Sequence, residues 1–306
     1  MRASWVADEM STVDLKDKRL NARLCEVLAQ LAARPTASIP AACGGRAEME
    51  AAYRLFDNDQ VSFDNILQPH HEATRRRIGG QPVVILAQDT TEIDLTRPEQ
   101  QVRGAGPIDG GTRRGALLHA LHAFTPDGTP LGTLHARPWT RDESPPRRQT
   151  LTPAERWATP LEEKESYRWV VALRQAREEA QRHASTRVVC VADSEADIYE
   201  VLTEGMREPR SADWIVRACQ NRALQDEKTQ EKTAPSLREQ VLLQPVLFRK
   251  TLSIRGRKAK VRCSKRGREQ PRASRQAKVE VRATRSRSCI SRKRSRWAGV
   301  EQSHEP

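Results

Sequence analysis

The chain has 306 residues, of which 37% are hydrophobic and only 4% aromatic, so it is long enough for one or two domains but part of it is expected to lack a packed core. No uncharged apolar run approaches the roughly 20 residues that cross a bilayer, and the N-terminus lacks the apolar segment of a signal peptide. Composition therefore argues against membrane and secreted proteins and predicts a cytoplasmic one.

The six cysteines are widely spaced and include no C-x-x-C pair. This spacing does not fit a zinc finger, and a disulfide framework is not expected in a chain of this length. We therefore expect reduced thiols.

The net charge of +13 is unevenly distributed. Between Val246 and Trp297 there are 20 lysines and arginines and two acidic residues, a net charge of +18, which leaves −5 for the rest of the chain. A basic segment of this kind favours a polyanionic partner, with nucleic acid first, and the alternative is a solvated basic tail.

The first 80 residues predict a small all-helical module. Apolar residues recur at helical spacing in residues 14–34, where Pro35 ends the pattern, and again in residues 46–56. A third helix is predicted from Ser62 to the basic run Arg75, Arg76 and Arg77, which are candidate DNA contacts. Small helical bundles often place one helix against DNA, although a plain helical cap is an equally common use.

After residue 80 the pattern changes to short apolar runs alternating with helical segments. The predicted order is strand, strand, strand, helix, strand, helix, strand. These elements are predicted at residues 83–87, 116–125, 131–139, 162–183, 188–192, 194–206 and 214–216. The order indicates an α/β fold with a mixed sheet, as in the ribonuclease-H-like fold, and predicts a core domain at 81–221.

Two aspartates follow the two most apolar predicted strands. Asp89 comes after VVILAQ and Asp193 after VVCVA. Taken singly, each is better explained as a turn residue or a helix cap than as a functional group. If the two strands are neighbours, however, the carboxylates converge at one sheet edge, where oxygen ligands can hold Mg²⁺ or Mn²⁺ for phosphoryl chemistry.

Several segments resemble landmarks of one family, the DDE transposases of the bacterial insertion-sequence-four group that contains the transposon-five enzyme. They are DLKDKRLNARL (14–24), AQDTTEIDL (87–95), EKES (163–166), VADSEADIYEVL (191–202) and WIVRA (214–218). The resemblance runs in order from residue 5 to about 285.

The resemblance implies that Asp89 and Asp193 are the first two catalytic acids and bind Mg²⁺ or Mn²⁺. It implies that Arg217 lies near the DNA backbone and that the N-terminal module recognises transposon ends. The implied partners are double-stranded DNA, as transposon ends and target, and a second copy of the chain in a synaptic complex. The implied location is the bacterial cytoplasm, in association with the nucleoid.

The family's third acid, a glutamate within Tyr-x2-Arg-x3-Glu-x6-Lys, has no match in this sequence. Residues 222–285 are similar to the family's β-rich insertion, with strands expected near 246–256 and 277–284. The tail at 286–306 has an Arg/Ser bias and no periodicity, which suits either a shifted reading frame or an authentic basic tail. The C-terminal part of the ribonuclease-H-like core is therefore predicted to be missing.

These features predict a transposase by ancestry that cuts DNA poorly or not at all. Glu195 and Asp197 lie in sequence that normally coexists with the missing glutamate, so they are not expected to replace it. Two other hypotheses remain open. One is a DNA-binding regulator that blocks intact copies of the enzyme, and the other is a non-functional remnant that folds poorly.

Overall fold

The computed structural model describes residues 4–97, 99–100, 102–109, 112–142, 152, 155, 158–209, 211–225, 232–233, 235–257 and 271–284. The chain divides into two compact units, Met1–Ala218 and Cys219–Pro306. The predicted tail at 286–306 lies outside the described residues. Among the described residues, no helix has both the length and the apolarity to cross a membrane.

The first unit begins with helices. They are α1 (Ser4–Glu9), α2 (Lys18–Ala33), α3 (Ile39–Ala42), α4 (Arg46–Phe56) and α5 (Phe63–Ile78). The three predicted helices are present as α2, α4 and α5, and α4 has the predicted bounds. The short helices α1 and α3 were not predicted, because one or two turns carry too little periodicity to be recognised.

Local capping explains where the longer helices begin. The Asp17 carboxylate accepts a hydrogen bond from the Arg19 N–H at the start of α2, and the Ser62 hydroxyl accepts one from the Asn65 N–H at the start of α5. The helices enclose a separate apolar cluster. Its buried members are Val6, Met10, Leu15, Leu24, Cys25, Val27, Cys43, Ala52 and Leu55.

A mixed sheet follows the helices. Its strands are β1 (Val83–Asp94), β2 (Gly106–Pro107), β3 (Arg114–Phe124), β4 (Pro130–Trp139), β5 (Arg187–Ala192) and β6 (Asp213–Val216). The order is β2-β3-β1-β5-β6, and β4 also pairs with β3. Strand β1 is antiparallel to β3 and parallel to β5, and β5 is parallel to β6. The predicted mixed α/β sheet is therefore present.

Helices α6 (Tyr167–Arg182) and α7 (Tyr199–Met206) pack on one face of this sheet. Every second residue of β5 and of β1 as far as Gln88 is buried there, including Val84, Leu86 and Cys190, together with Trp169 and Leu173 of α6. This alternation is the two-residue period of a strand with one covered face. The residues of the apolar runs at 83–87 and 188–192 are therefore more deeply buried on the helix-covered face of the sheet than on its opposite face.

Two predicted helices differ from the structure at their N-termini. The helix predicted from Glu162 begins only at Tyr167, after a separate 3₁₀ turn at Leu161–Glu163. The helix predicted at Ser194–Met206 is a 3₁₀ turn, Ser194–Ala196, followed by α7. The Asp193 carboxylate caps this turn, and the backbone leaves the helical conformation at Asp197 (ψ 56°) and Ile198 (ψ 154°), which separates the turn from α7.

The second unit contains short elements. They are β7 (Leu224–Gln225), β8 (Lys232–Thr233), α8 (Leu237–Leu242), β9 (Phe248–Ile254) and β10 (Arg275–Val281). Strands β9 and β10 form an antiparallel pair in the predicted β-rich segment. Several large apolar side chains of this unit are exposed, among them Leu243, Phe248 and Leu252. The unit therefore has a thin apolar core in the part that is described.

Candidate active site

Strands β1 and β5 bring the two predicted catalytic aspartates to neighbouring positions. The parallel pairing runs from Val83 opposite Arg187 to Gln88 opposite Ala192, and the next residues are Asp89 and Asp193. Because neighbouring strands lie about 4.8 Å apart, the two carboxylates emerge side by side where this pairing ends. The condition for convergence of the two carboxylates, that their strands are neighbours, is thus met.

Asp89 is not at the end of its strand, contrary to the prediction from sequence. Strand β1 continues to Asp94, paired with β3 from Ile85 opposite Phe124 to Asp94 opposite Gly115. The polar residues after Asp89 join the sheet because β3 supplies backbone partners for them. Asp89 therefore stands on a fixed strand, and Asp193 begins a turn.

Both carboxylates accept backbone hydrogen bonds close by in sequence. Asp89 Oδ1 accepts from the N–H of Thr90 at 2.8 Å, and Asp193 Oδ1 accepts from the N–H of Glu195 at 2.8 Å. Asp89 is exposed and the Asp193 side chain is 41% exposed. Both groups are accessible to a dissolved cation.

The aspartates lie on the sheet face opposite α6. Gln88 and Ala192, which precede them, are buried on the helix-covered face, and side chains alternate along a strand. On the aspartate side, Ile85, Ala87 and Val191 are only half-buried. The candidate site is therefore on the less covered face of the sheet.

Arg217 contacts the second aspartate. Its Nη2 lies 3.2 Å from Asp193 Oδ2 and donates to the Ser194 hydroxyl at 3.1 Å, and its backbone N–H donates to the Ala192 carbonyl. The Arg217 side chain is 69% exposed. This position is adjacent to the carboxylates and open to solvent, as a contact to a DNA backbone would require.

The predicted DNA contacts of α5 are bonded within the protein. Arg75 Nε donates to the buried Glu179 carboxylate at 2.8 Å, and Arg77 Nη1 donates to Glu9 at 2.8 Å. Arg76 is more open, and its Nη2 donates to the Asp8 carbonyl at 3.1 Å. Arg75 joins the helical module to α6 through Glu179, and Arg77 joins it to β4 because its Nε also donates to the Leu131 carbonyl. A DNA role for the three arginines remains a prediction.

The carboxylate oxygens of the candidate site are the type of ligand that a hard cation prefers. Mg²⁺ and Mn²⁺ prefer carboxylate oxygens, and Asp89 and Asp193 supply them from neighbouring strands. Within the described residues, no group of three or more histidine, cysteine, aspartate or glutamate side chains could hold a metal. Glu195 pairs with Arg168, and Asp197 is 6% exposed. The described site thus offers two carboxylates.

A buried polar chain next to Asp89 was not anticipated as a unit from the sequence. Arg168 Nε donates to Thr90 Oγ1 at 2.9 Å, and Thr90 Oγ1 is 2.9 Å from His119 Nδ1. His119 Nε2 is 3.2 Å from Gln88 Oε1, and Gln88 Nε2 donates to Cys190 Sγ at 3.4 Å. Each of these residues is unremarkable in sequence, because the chain forms only when β1, β3, β5 and α6 pack together.

Burial disfavours a charged His119, and for the neutral ring the proton positions along this chain have one consistent arrangement. An arginine nitrogen can only donate, so Thr90 accepts from Arg168 and turns its own proton to His119 Nδ1. His119 then donates from Nε2 to the Gln88 carbonyl oxygen. Neutral His119 therefore carries its proton on Nε2. It is fully buried, and its ring meets that of Trp169 edge-on at 4.7 Å.

Burial lowers the pKa of His119 to about 3, with a further contribution from the nearby Arg168 charge. A histidine in the unfolded chain has a pKa near 6.5, so the unfolded state binds more protons between these values. The contribution of neutral His119 to stability is complete above pH 6.5 and is lost as the pH falls toward 3.

We therefore expect the free energy of unfolding to decrease as the pH falls from 7.5 to 5. The His119 contribution to this decrease should be about 2 kcal/mol, because pH 5 lies about 1.5 units below its unfolded pKa. Urea unfolding at several pH values measures the slope. The variant His119→Gln should have a shallower slope, and an unchanged slope in that variant would contradict the assignment.

The helical module also presents a surface feature. Tyr53 and Phe56 of α4 are 46% and 44% exposed and line a shallow cavity of about 420 Å³ with Arg54 and Asp57. Aromatic and arginine side chains on an exposed helix are suited to contacts with another macromolecule.

Residues 2–61, which contain α1 to α4, match the family described as Transposase DNA-binding. Two solved structures are similar to part of the chain. Their titles are "Mos1 transposase paired-end complex with left transposon end" and "Crystal structure of the Mos1 Strand Transfer Complex", and each is 12% identical with a TM-score of 0.22. Each match covers 63% of this chain and 57% or 56% of the other, so it spans little more than half of those proteins. At this level the likenesses say nothing about the residues of the site. The match at residues 2–61 supports a transposase role with DNA as a partner.

Proposed function

We propose that this chain is a DDE-type transposase, similar to the insertion-sequence-four group, whose helical module recognises transposon ends. The observation that carries the proposal is the match of residues 2–61 to the Transposase DNA-binding family. The module has its own apolar cluster and exposed aromatic side chains on α4, which suit a recognition domain. The basic segment after Val246 adds an electrostatic reason for DNA binding.

In this proposal Asp89 and Asp193 would hold Mg²⁺ or Mn²⁺. The bound metal would activate water or a 3′-hydroxyl for attack on a phosphodiester. Strand β1 fixes Asp89 through its two neighbours, while Asp193 is held by the turn that it caps. Arg217 would approach a phosphate of the DNA backbone beside Asp193 and help to orient the scissile strand.

We further propose that this chain cleaves DNA poorly or not at all. The described site offers two carboxylates for a cation, and the sequence lacks the family's third glutamate motif. Glu195, the acid nearest to Asp193 in sequence, is engaged by Arg168. Asp89 and Asp193 alone would supply ligands for one cation, whereas a second cation at the same phosphate would need a further carboxylate.

The full chain is expected to bind double-stranded DNA of the cognate end in a salt-dependent way. If about five phosphates are contacted, affinity should fall by about 100-fold or more between about 50 and 200 mM salt. The variant Arg217→Gln should reduce the slope of log affinity against log salt by about one. Gel-shift titrations on end sequences selected from a random duplex pool would measure both.

The same duplexes test cleavage. With Mg²⁺ or Mn²⁺ we expect binding without nicking. Metal-dependent nicking that is lost in Asp89→Ala would show an active enzyme and overturn the proposed defect. Absence of any preferred duplex, together with salt-independent binding, would contradict the transposase proposal itself.

A second candidate is a DNA-binding regulator of transposition. The two-carboxylate site favours it, because end recognition without cleavage would allow this chain to occupy ends that an intact copy requires. Self-association on paired ends belongs to both candidates, and light scattering with one and two duplexes would detect it. The regulator is favoured if this chain lowers cleavage by an active transposase on the same ends.

A further inference from the structure

The Arg168 guanidinium is held by contacts with two tryptophan rings. It lies 5.5 Å from the ring centroid of Trp139 at the end of β4 and 5.4 Å from that of Trp169 in α6. The Arg168 side chain is 15% exposed. Cation–π contacts of this kind restrict the guanidinium to one plane and one place.

From this position one side chain reaches both segments that carry the aspartates. Nε donates to the hydroxyl of Thr90, the residue after Asp89, at 2.9 Å. Nη2 donates to the Glu195 carboxylate, two residues after Asp193, at 3.0 Å. The remaining nitrogen, Nη1, donates to the Glu165 carbonyl at 2.7 Å and fixes the guanidinium to the start of α6.

The contact with Thr90 is itself fixed from the other side. Thr90 donates to His119, which continues through Gln88 to Cys190, so the hydroxyl cannot rotate without breaking two hydrogen bonds. Such a chain transmits the position of Arg168 to the backbone beside Asp89. Glu195 links Arg168 to Asp193 in the same way, because the Glu195 backbone N–H donates a hydrogen bond to the Asp193 carboxylate.

We infer that Arg168 is a positioning residue, which sets the separation of Asp89 and Asp193 and through it the affinity of the site for a divalent cation. This inference rests on the proposed function only in taking the two aspartates as cation ligands. Arg168 touches neither aspartate and acts through Thr90 and Glu195. Partners that orient the ligands of a metal commonly change its affinity by about 10- to 100-fold when they are removed.

Another arginine of α6 provides a matched control. Arg174 lies 5.8 Å from the Tyr167 ring centroid and donates to Glu204 at 2.9 Å, so it also combines a cation–π contact with a carboxylate pair. Glu204 is in α7, away from the strand positions that carry the aspartates. If the loss of any arginine ion pair on α6 lowered Mn²⁺ affinity, variants at Arg168 and Arg174 would be weakened alike. If Arg168 positions the aspartates, only the Arg168 variants should bind Mn²⁺ more weakly.

The test is Mn²⁺ binding to the full chain, measured by calorimetry and by the paramagnetic resonance signal of free Mn²⁺. We expect Arg168→Gln to weaken Mn²⁺ binding by about 10-fold or more. Arg168→Lys should not restore it, because an ammonium group is a single point charge and cannot bridge Thr90 and Glu195 as a fork. Thr90→Val should weaken binding in the same direction. Arg174→Gln should leave Mn²⁺ affinity unchanged, and thermal unfolding of each variant separates affinity from stability.

Equal Mn²⁺ affinity in the wild-type chain and all Arg168 and Thr90 variants would overturn the positioning role and leave the aspartate site intact. Full recovery by Arg168→Lys would also overturn it, since charge alone would then suffice. If Asp89→Ala binds Mn²⁺ as tightly as the wild-type chain, the aspartates are not the binding site, and the positioning role is overturned with it. Weakening confined to the Arg168 and Thr90 variants would support the inference.

Discussion

Replacing Arg75 by methionine is expected to lower the free energy of unfolding of the first unit by about 3 kcal/mol, because the change leaves a buried carboxylate without its main partner. Glu179 is 1% exposed, and Arg75 Nε donates to it at 2.8 Å. The weaker contacts of Glu179 with Arg182 at 3.3 Å and His183 at 3.8 Å would remain and limit the loss. Urea unfolding followed by circular dichroism measures the difference.

The neighbouring Arg76 is the matched control. It donates to a backbone carbonyl and to the Ser11 hydroxyl on the exposed side of α5, so Arg76→Met should cost less than about 1 kcal/mol. The double variant Arg75→Met, Glu179→Met should be more stable than Arg75→Met alone, since apolar pairs can replace buried ion pairs. Similar losses for Arg75→Met and Arg76→Met would contradict the buried pair as a link between α5 and α6.

Replacing Trp169 by alanine is expected to cost about 4 kcal/mol, through lost burial and the cavity that remains. Trp169 is 1% exposed in the apolar cluster between α6 and the sheet. Its ring also meets His119 edge-on at 4.7 Å and lies under the Arg168 guanidinium. The change should therefore weaken Mn²⁺ binding as well as stability, because it releases the positioning arginine.

Trp5 serves as the control for Trp169. It lies in α1 and is 45% exposed, so Trp5→Ala removes the same side chain from a solvated position. We expect this variant to lose less than about 1 kcal/mol and to retain wild-type Mn²⁺ affinity. Unfolding followed by far-ultraviolet circular dichroism avoids the change in tryptophan fluorescence. A Trp169→Ala variant as stable as Trp5→Ala would place Trp169 outside the core.

The internal bonding of α5 matters for the proposed function. Glu9 of α1 pairs with Arg77 at 2.8 Å and also contacts His70, whose Nε2 accepts a hydrogen bond from the Thr133 N–H of β4 at 2.8 Å. These contacts join the helical module to the sheet within one compact unit. DNA bound by the module would therefore be held in a defined relation to the aspartates.

The sequence by itself determined the elements with a strong apolar period. Helix α4, strand β5 and the antiparallel strands β3 and β4 lie within a few residues of their predicted bounds, because their pattern is local. The sequence also determined that Asp89 and Asp193 each follow an apolar run, and that both offer carboxylate oxygens as candidate cation ligands. The family match at residues 2–61 supports the expected transposase role, but it does not test the resemblance to the insertion-sequence-four group.

Only the tertiary structure decided which of these groups meet. The register of β1 against β5 places Asp89 beside Asp193, and backbone pairing with β3 extends β1 past the residue where its apolar run ends. Arg75 and Arg168 are basic residues that look alike in sequence, yet one pairs with a carboxylate 104 positions away and the other bridges β1 and the turn after β5. The partners of these arginines are determined by tertiary packing, because the energy of a buried charge depends on groups that are distant in the chain.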